Sequence, residues 1–233
     1  ETMSTRELYF ISGSPPCWSV MLALEVKGLN YTPVRLDNSK SEQKAPKFLA
    51  VNPRGEVPVL VNGNGSGDGA TFCETLSILT YLDAAYPEPS LFGDTPTETA
   101  RVWQSISECN SNLTNQVGDI SRPLFRNKGG EFTDQIALAA EKMRAELALI
   151  ESKLMTKEYL AGDRLSAADL IIYPIIMQLH RAAASDRDDT HALAIYPLAQ
   201  YFPRIADWVS RMEKIPGYTN AYPPHWKTEK RLT

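Results

Sequence analysis

The stretch Glu7-Leu-Tyr-Phe-Ile-Ser-Gly-Ser-Pro-Pro-Cys-Trp-Ser-Val20 changes character in its middle. Its first half, Glu7 to Ser12, is rich in aromatic and β-branched residues and predicts a strand. Gly13-Ser-Pro-Pro16 breaks that strand, and a helix is predicted from about Pro16 to Lys27, since proline is tolerated in a first helical turn. Gly28 suits the left-handed position that ends many helices. Further along, Tyr31 to Leu36 reads as a second strand, Glu42 to Leu49 as a short helical segment, and Val57-Pro-Val-Leu-Val61 as a third strand. Asn62 to Asp68, full of Gly and Asn, predicts a hairpin turn before a fourth strand at Ala70 to Cys73. Leu76, Leu79, Leu82 and Tyr86 then fall on one helical face. The order β-α-β-α-β-β-α implies an α/β layer with a parallel crossover and a hairpin.

Past residue 86 the texture changes. Tyr86-Pro-Glu-Pro-Ser-Leu-Phe-Gly-Asp-Thr-Pro96 carries three prolines and reads as a linker. This divides the chain into an α/β domain over 6–86, a linker over 87–96 and an all-helical domain over 97–233. Helices are predicted from Thr97 to Gly118 and from about Arg204 to Lys214. Ile136, Ala140, Met143, Leu147, Ile150 and Leu154 alternate steps of four and three, the seam of a long bundle helix. Ser166-Ala-Ala-Asp169 is a capping box that opens another helix, and Arg187 to Thr190 reads as a solvated loop.

Composition narrows the function classes. Hydrophobic content of 43% and charged content of 22% are those of a globular protein. No apolar run approaches the ~20 residues a spanning helix needs, and Glu1 to Arg6 carries no apolar core of a secretory signal. A net charge of −4 argues against nucleic acid, and the basic tail residues Lys227, Lys230 and Arg231 are interrupted by Glu229. Three scattered cysteines, Cys17, Cys73 and Cys109, make no disulfide framework, and no metal-ligand spacing occurs. A reducing compartment and the absence of a metal are the expectations.

Three segments carry chemistry. Ser14 stands at a strand-to-helix junction, where free N–H groups and the positive helix end favour an anion such as a thiolate. A plain helix cap explains the same serine. In Asn52-Pro-Arg-Gly-Glu-Val-Pro58, a cis Val57–Pro58 bond would leave the Val57 backbone facing outward, where an extended peptide could pair with it. A proline at a strand start is the simpler account. In Phe72-Cys-Glu-Thr-Leu76, Glu74 could receive an ammonium group, and Thr75 with first-turn N–H groups a carboxylate. Capping again suffices locally. Taken in order, the segments offer a hydroxyl for a sulfur, a backbone edge for a peptide and an acid–hydroxyl pair for an amino-acid head. Glutathione has those three parts.

The chain thus resembles the cytosolic glutathione transferase superfamily along nearly its whole length. Gly13 to Val20 is similar to the catalytic serine segment of the delta and theta classes, with Ser14 at the serine position, and its Ser-Pro opening is similar to the tau class. Asn52 through Pro87 resembles the omega class, which uses a cysteine where this chain has Ser14. The resemblance implies a thioredoxin-like N-terminal domain followed by a helical bundle, a homodimer, a cytoplasmic setting and glutathione as co-substrate with a small hydrophobic electrophile or a peroxide. It implies glutathione-binding roles for Ser14, Val57, Pro58, Glu74 and Thr75. Gly55 stands where some classes carry a basic residue, so Lys44 or else Arg54 is expected to supply that charge. Thr75 replaces a usual serine, and Leu76 stands where delta and theta chains often carry arginine. Trp103, Ser107 and Asn110 are expected to line the second-substrate pocket. Two rivals stand beside this reading: Cys17 as the nucleophile of a thiol-disulfide reductase or dehalogenase, and a non-catalytic binding module on the same fold.

Overall fold

The strand predicted around Tyr9 forms as β1 (Arg6–Phe10), with Arg6, Leu8 and Phe10 buried and the residues between them half-buried. The computed structural model describes residues 6–63, 69–186 and 190–227. The loops expected at 62–68 and 187–190 lie largely outside those residues. β1 pairs in parallel with β2 (Thr32–Arg35) and antiparallel with β3 (Val59–Asn62), which pairs antiparallel with β4 (Thr71–Cys73). The sheet order is β2-β1-β3-β4. Leu8 is opposite Leu60 and next to Pro33, so the centre of the sheet presents an apolar face.

The helices of this layer are α1 (Pro15–Val26), the short α2 (Pro46–Leu49) and α3 (Thr75–Ala85). The segment expected to be helical from Glu42 breaks into a 3-10 turn at Glu42–Lys44 and α2, because Pro46 removes a backbone donor between them. On α3, Ile78, Leu79 and Leu82 are buried, whereas Leu76 is only half-buried and Tyr86 falls just past the helix end. Tyr86 serves as a polar anchor instead: Arg6 donates to its hydroxyl at 2.5 Å and to the Asn30 carbonyl at 3.0 Å.

The described residues form two compact units, one running to Leu91 and taking in the tail from Ile215, the other Phe92–Lys214. The tail from Ile215, grouped by sequence with the helical part, therefore packs with the sheet unit through α10, given below.

The second unit is helical. It holds α4 (Pro96–Glu108), α5 (Thr114–Phe125), α6 (Thr133–Leu154), α7 (Ala167–Ser185), α8 (Leu198–Tyr201) and α9 (Pro203–Met212). The helix predicted from Thr97 to Gly118 is interrupted by a π-helical turn at Cys109–Leu113 and then continues to Phe125. All six residues of the predicted α6 seam are buried. In the tail, α10 (Tyr218–Ala221) packs on α1. No described helix is long and apolar enough to cross a membrane.

The start of α7 rests on Asp169, a fully buried carboxylate. It accepts from the Ser166 N–H at 3.0 Å, the Ser166 hydroxyl at 2.9 Å, the Leu160 N–H at 2.9 Å and the Trp208 indole at 3.0 Å. Burial pushes its pKa up, and these donors oppose the shift. Asp169 thus ties α7, the loop before it and α9 together. Asp169→Ala, which strands buried donors on all three, is expected to cost about 3–5 kcal/mol in urea unfolding. Asp169→Asn, which keeps one acceptor oxygen, should cost less.

Candidate functional site

The turn from β1 into α1 is built by Gly13 and Ser14. Gly13 has φ +83°, a conformation that disfavours side chains, and the Ser14 N–H donates to the Ile11 carbonyl at 3.2 Å. Ser14 is extended at the N-cap of α1, yet its side chain makes no capping hydrogen bond. The simple cap account therefore does not describe this serine. The helix N-terminus is also poorer in donors than its position suggests. Pro15 and Pro16 have no N–H, and the Trp18 N–H is already given to the Ser14 carbonyl at 2.9 Å. The Ser14 hydroxyl is consequently a principal donor there.

Cys17, one turn along, is 1% exposed. Burial pushes its thiol pKa up to about 11, against contacts with the Ser14 hydroxyl and the Ile11 backbone that favour the thiolate. At neutral pH it is a protonated, enclosed thiol, the reverse of what a thiol-disulfide nucleophile requires.

The second segment is organised by Asn52, which is nearly fully buried. Its side chain donates to the Glu56 carbonyl at 2.8 Å and accepts from the Arg54 N–H at 3.2 Å, closing the loop on itself. The Val57–Pro58 bond is cis, as expected. Among the described residues neither the Val57 N–H nor its C=O has a hydrogen-bond partner. Gly55 has φ +63°, and a Cβ there would fall 2.7 Å from the Gln43 carbonyl oxygen, 2.8 Å from Lys44 Cδ and 3.0 Å from Lys44 Nζ. Lys44 occupies the volume a side chain at 55 would take, and its ammonium donates to the Arg54 carbonyl at 3.0 Å.

The third segment joins β4 to α3. Glu74 holds φ +69°, costly for a residue with a side chain, and its exposed carboxylate makes no capping bond. The first intrahelical bond runs from the Ile78 N–H to the Glu74 carbonyl, so the N–H groups of Thr75, Leu76 and Ser77 lie ahead of it. The Thr75 hydroxyl donates to the Pro16 carbonyl at 3.3 Å, tying the start of α3 to the start of α1. Burial and the Glu74 charge raise the Cys73 pKa, and the Arg54 guanidinium counters them, which puts Arg54 within electrostatic reach of this junction. Ser14, Arg54 and the Glu74–Thr75 pair thus converge on one edge of the first unit.

Trp103, Ser107 and Asn110 belong to the second unit, all exposed. Trp103 stacks on Phe92 with centroids 5.2 Å apart, and Asn110 lies in the π-helical turn. The sequence gives no sign of one neighbour of this turn, His225, whose Nδ1 lies 3.1 Å from Ser12 Oγ. No periodicity or spacing signals a contact across 213 residues.

The model of the glutathione S-transferase N-terminal domain matches residues 8–90, and that of the C-terminal domain matches residues 123–216. Glutathione S-transferase F10 of Arabidopsis thaliana is 32% identical over 161 residues, 66% of this chain and 72% of the relative. The chain belongs to the glutathione S-transferase family. Two solved structures extend the likeness over nearly the whole glutathione S-transferase fold. One, from the Antarctic clam Laternula elliptica, is 28% identical with a TM-score of 0.78, covering 97% of this chain and 95% of that one. The other, a glutathione transferase homologue from Sulfitobacter with bound glutathione, is 25% identical with a TM-score of 0.70, covering 93% and 96%. The family places a thioredoxin-like domain before a helical one, as found here, and makes the chain a glutathione S-transferase enzyme.

The cysteine environments give a direct check. Cys17 and Cys109 are buried, with pKa values pushed up to about 11 and about 12, while Cys73 is half-buried. Iodoacetamide at pH 6–7 is therefore expected to modify the native transferase at Cys73 alone, slowly and faster as pH rises, and all three thiols only after unfolding. Rapid labelling of Cys17 near pH 6 with loss of activity would restore the cysteine mechanism.

Proposed function

We propose that this enzyme binds glutathione along Ser14, Val57 and Glu74 and activates its sulfur as a thiolate through the Ser14 hydroxyl, for attack on a small hydrophobic electrophile or a peroxide. The observation that carries the reading is the Ser14 side chain itself, placed at a helix start yet making no capping hydrogen bond to the backbone of the helix. With Cys17 protonated, its S–H can donate to the Ser14 oxygen, which leaves the serine proton for a ligand sulfur. The unpaired Val57 backbone offers the peptide a donor and an acceptor. Glu74 receives the ammonium of the γ-glutamyl head, and the carboxylate of that head meets the N–H groups of Thr75 and the rest of the first turn of α3, the Thr75 hydroxyl staying on the Pro16 carbonyl. Between the cations considered for the glycine carboxylate, the position of Lys44 over Gly55 favours Lys44, with Arg54 nearer the Glu74 junction.

The energetics are modest enough for these parts. A free thiol of pKa near 8.5 is only about 3% thiolate at pH 7. Lowering that value by ~2 units takes ~2.7 kcal/mol. A hydrogen bond to a charged group contributes ~1.5–3 kcal/mol, and the dipole of α1 adds a further fraction. The electrophile is proposed to lie against Trp103, Ser107 and Asn110. A homodimer in the cytoplasm is part of the same proposal.

Ser14→Ala should lower turnover by ~10- to 100-fold at pH 7. The deficit should narrow as pH rises toward the free thiol's pKa, because thiolate then forms unaided. Isothermal titration with reduced glutathione should show saturable binding, weakened ~10-fold or more in Glu74→Ala. Unchanged pH–rate profiles in Ser14→Ala, or no binding by wild type up to millimolar glutathione, would refute the proposal.

A further inference from the structure

The C-terminal tail closes on the loop that carries Ser14. Asn220 donates to the Glu25 carboxylate at 3.0 Å, anchoring α10 on α1. Trp226 sets its edge against Trp18 with centroids 5.3 Å apart, and Tyr222 does the same at 5.8 Å. Both tryptophans are buried. Beyond that anchor, His225 Nδ1 meets Ser12 Oγ at 3.1 Å, its ring exposed on the other side. A Cβ at Gly13 would lie 3.0 Å from Trp226 Cζ2, 3.2 Å from His225 Cε1 and 3.3 Å from His225 Nε2. The imidazole and the indole therefore cover the residue immediately before Ser14.

That residue is the hinge of the turn. Gly13 at φ +83° is the most conformationally free residue in the segment, and no capping bond holds the Ser14 side chain to α1. Within the turn the Ser14 N–H donates to the Ile11 carbonyl, and on its inner side the buried Cys17 thiol contacts the Ser14 hydroxyl and the Ile11 backbone. We infer that His225 is a positioning residue for Ser14: with Trp226 it clasps Ser12 and Gly13 from outside and so fixes where the serine hydroxyl points. It acts through Ser12 and Gly13. The inference rests on the reading that Ser14 holds the glutathione sulfur.

Two readouts test it, on the full chain. The first is the ultraviolet absorbance of enzyme-bound glutathione thiolate as a function of pH. In His225→Ala and in Ser12→Ala the ionisation midpoint is expected to rise by about one unit, with kcat at neutral pH down ~10-fold and glutathione Kd within about twofold. His225→Asn, which keeps a polar atom for Ser12, should restore most of both. The second readout needs no glutathione: the Ser14 amide, bonded to Ile11, should exchange with deuterium ~10-fold faster in His225→Ala, with the amides of α3 unchanged. If wild type binds no glutathione while the variant's Ser14 amide exchanges faster, the clasp stands and the thiolate reading of Ser14 falls. An unchanged ionisation midpoint in a wild type that shows one, or an unchanged Ser14 exchange rate, overturns the inference.

Discussion

The Lys27 ammonium, fully enclosed at the end of α1, donates to the Asp83 carboxylate at 3.0 Å, the Tyr86 carbonyl at 2.6 Å and the Pro89 carbonyl at 2.8 Å. An enclosed ammonium costs several kcal/mol in lost hydration unless its protons are placed, and all three are placed here. Their acceptors lie on α3 and the chain leaving it, so the group fixes the far end of α1 against the far end of α3. At the near end, the Thr75 hydroxyl bonds to the Pro16 carbonyl. Two helices held at both ends keep their N-termini side by side, and those N-termini carry Ser14 and Glu74. The geometry of the site follows from polar ties on α1 and α3 more than from anything in the loops themselves.

The turn at Ser14 shows how a local sequence choice alters an electrostatic device. A helix start normally presents several free N–H groups to an anion. Consecutive prolines at the start of α1 remove two of them and leave the macrodipole. In the proposed mechanism the hydroxyl supplies what the backbone lacks, and the buried Cys17 thiol beside it is held neutral by desolvation. The cysteine is better understood as part of the serine's surroundings than as its competitor.

Much of this was legible in the sequence because it depended on short-range rules. The α6 seam, the strand-to-helix break at Gly13 and the α7 start at Ser166 each follow from spacing or turn chemistry within a few residues. The sequence predicts one helix from Thr97 because nothing in Cys109-Asn-Ser-Asn-Leu113 marks the change of hydrogen-bond register found there. Tyr86 looked like the last member of an apolar face, but its hydroxyl finds Arg6 across the unit. At Ser14 the sequence admitted a cap or a ligand-facing hydroxyl, and the side chain makes no capping hydrogen bond. The pairing of His225 with Ser12 depends on tertiary folding alone, and so do the tail aromatics around Trp18.

Gly55 and Lys44 have a wider implication. The lysine stem fills the space above the glycine, and a side chain at 55 would collide with that stem or with the Gln43 carbonyl. The Lys44 side chain and any side chain at position 55 therefore exclude one another within one volume. Replacing Lys44 alone does not open position 55, because the Gln43 backbone carbonyl would still lie 2.7 Å from a Cβ there. The two positions form a steric lock on how this edge of the protein can evolve.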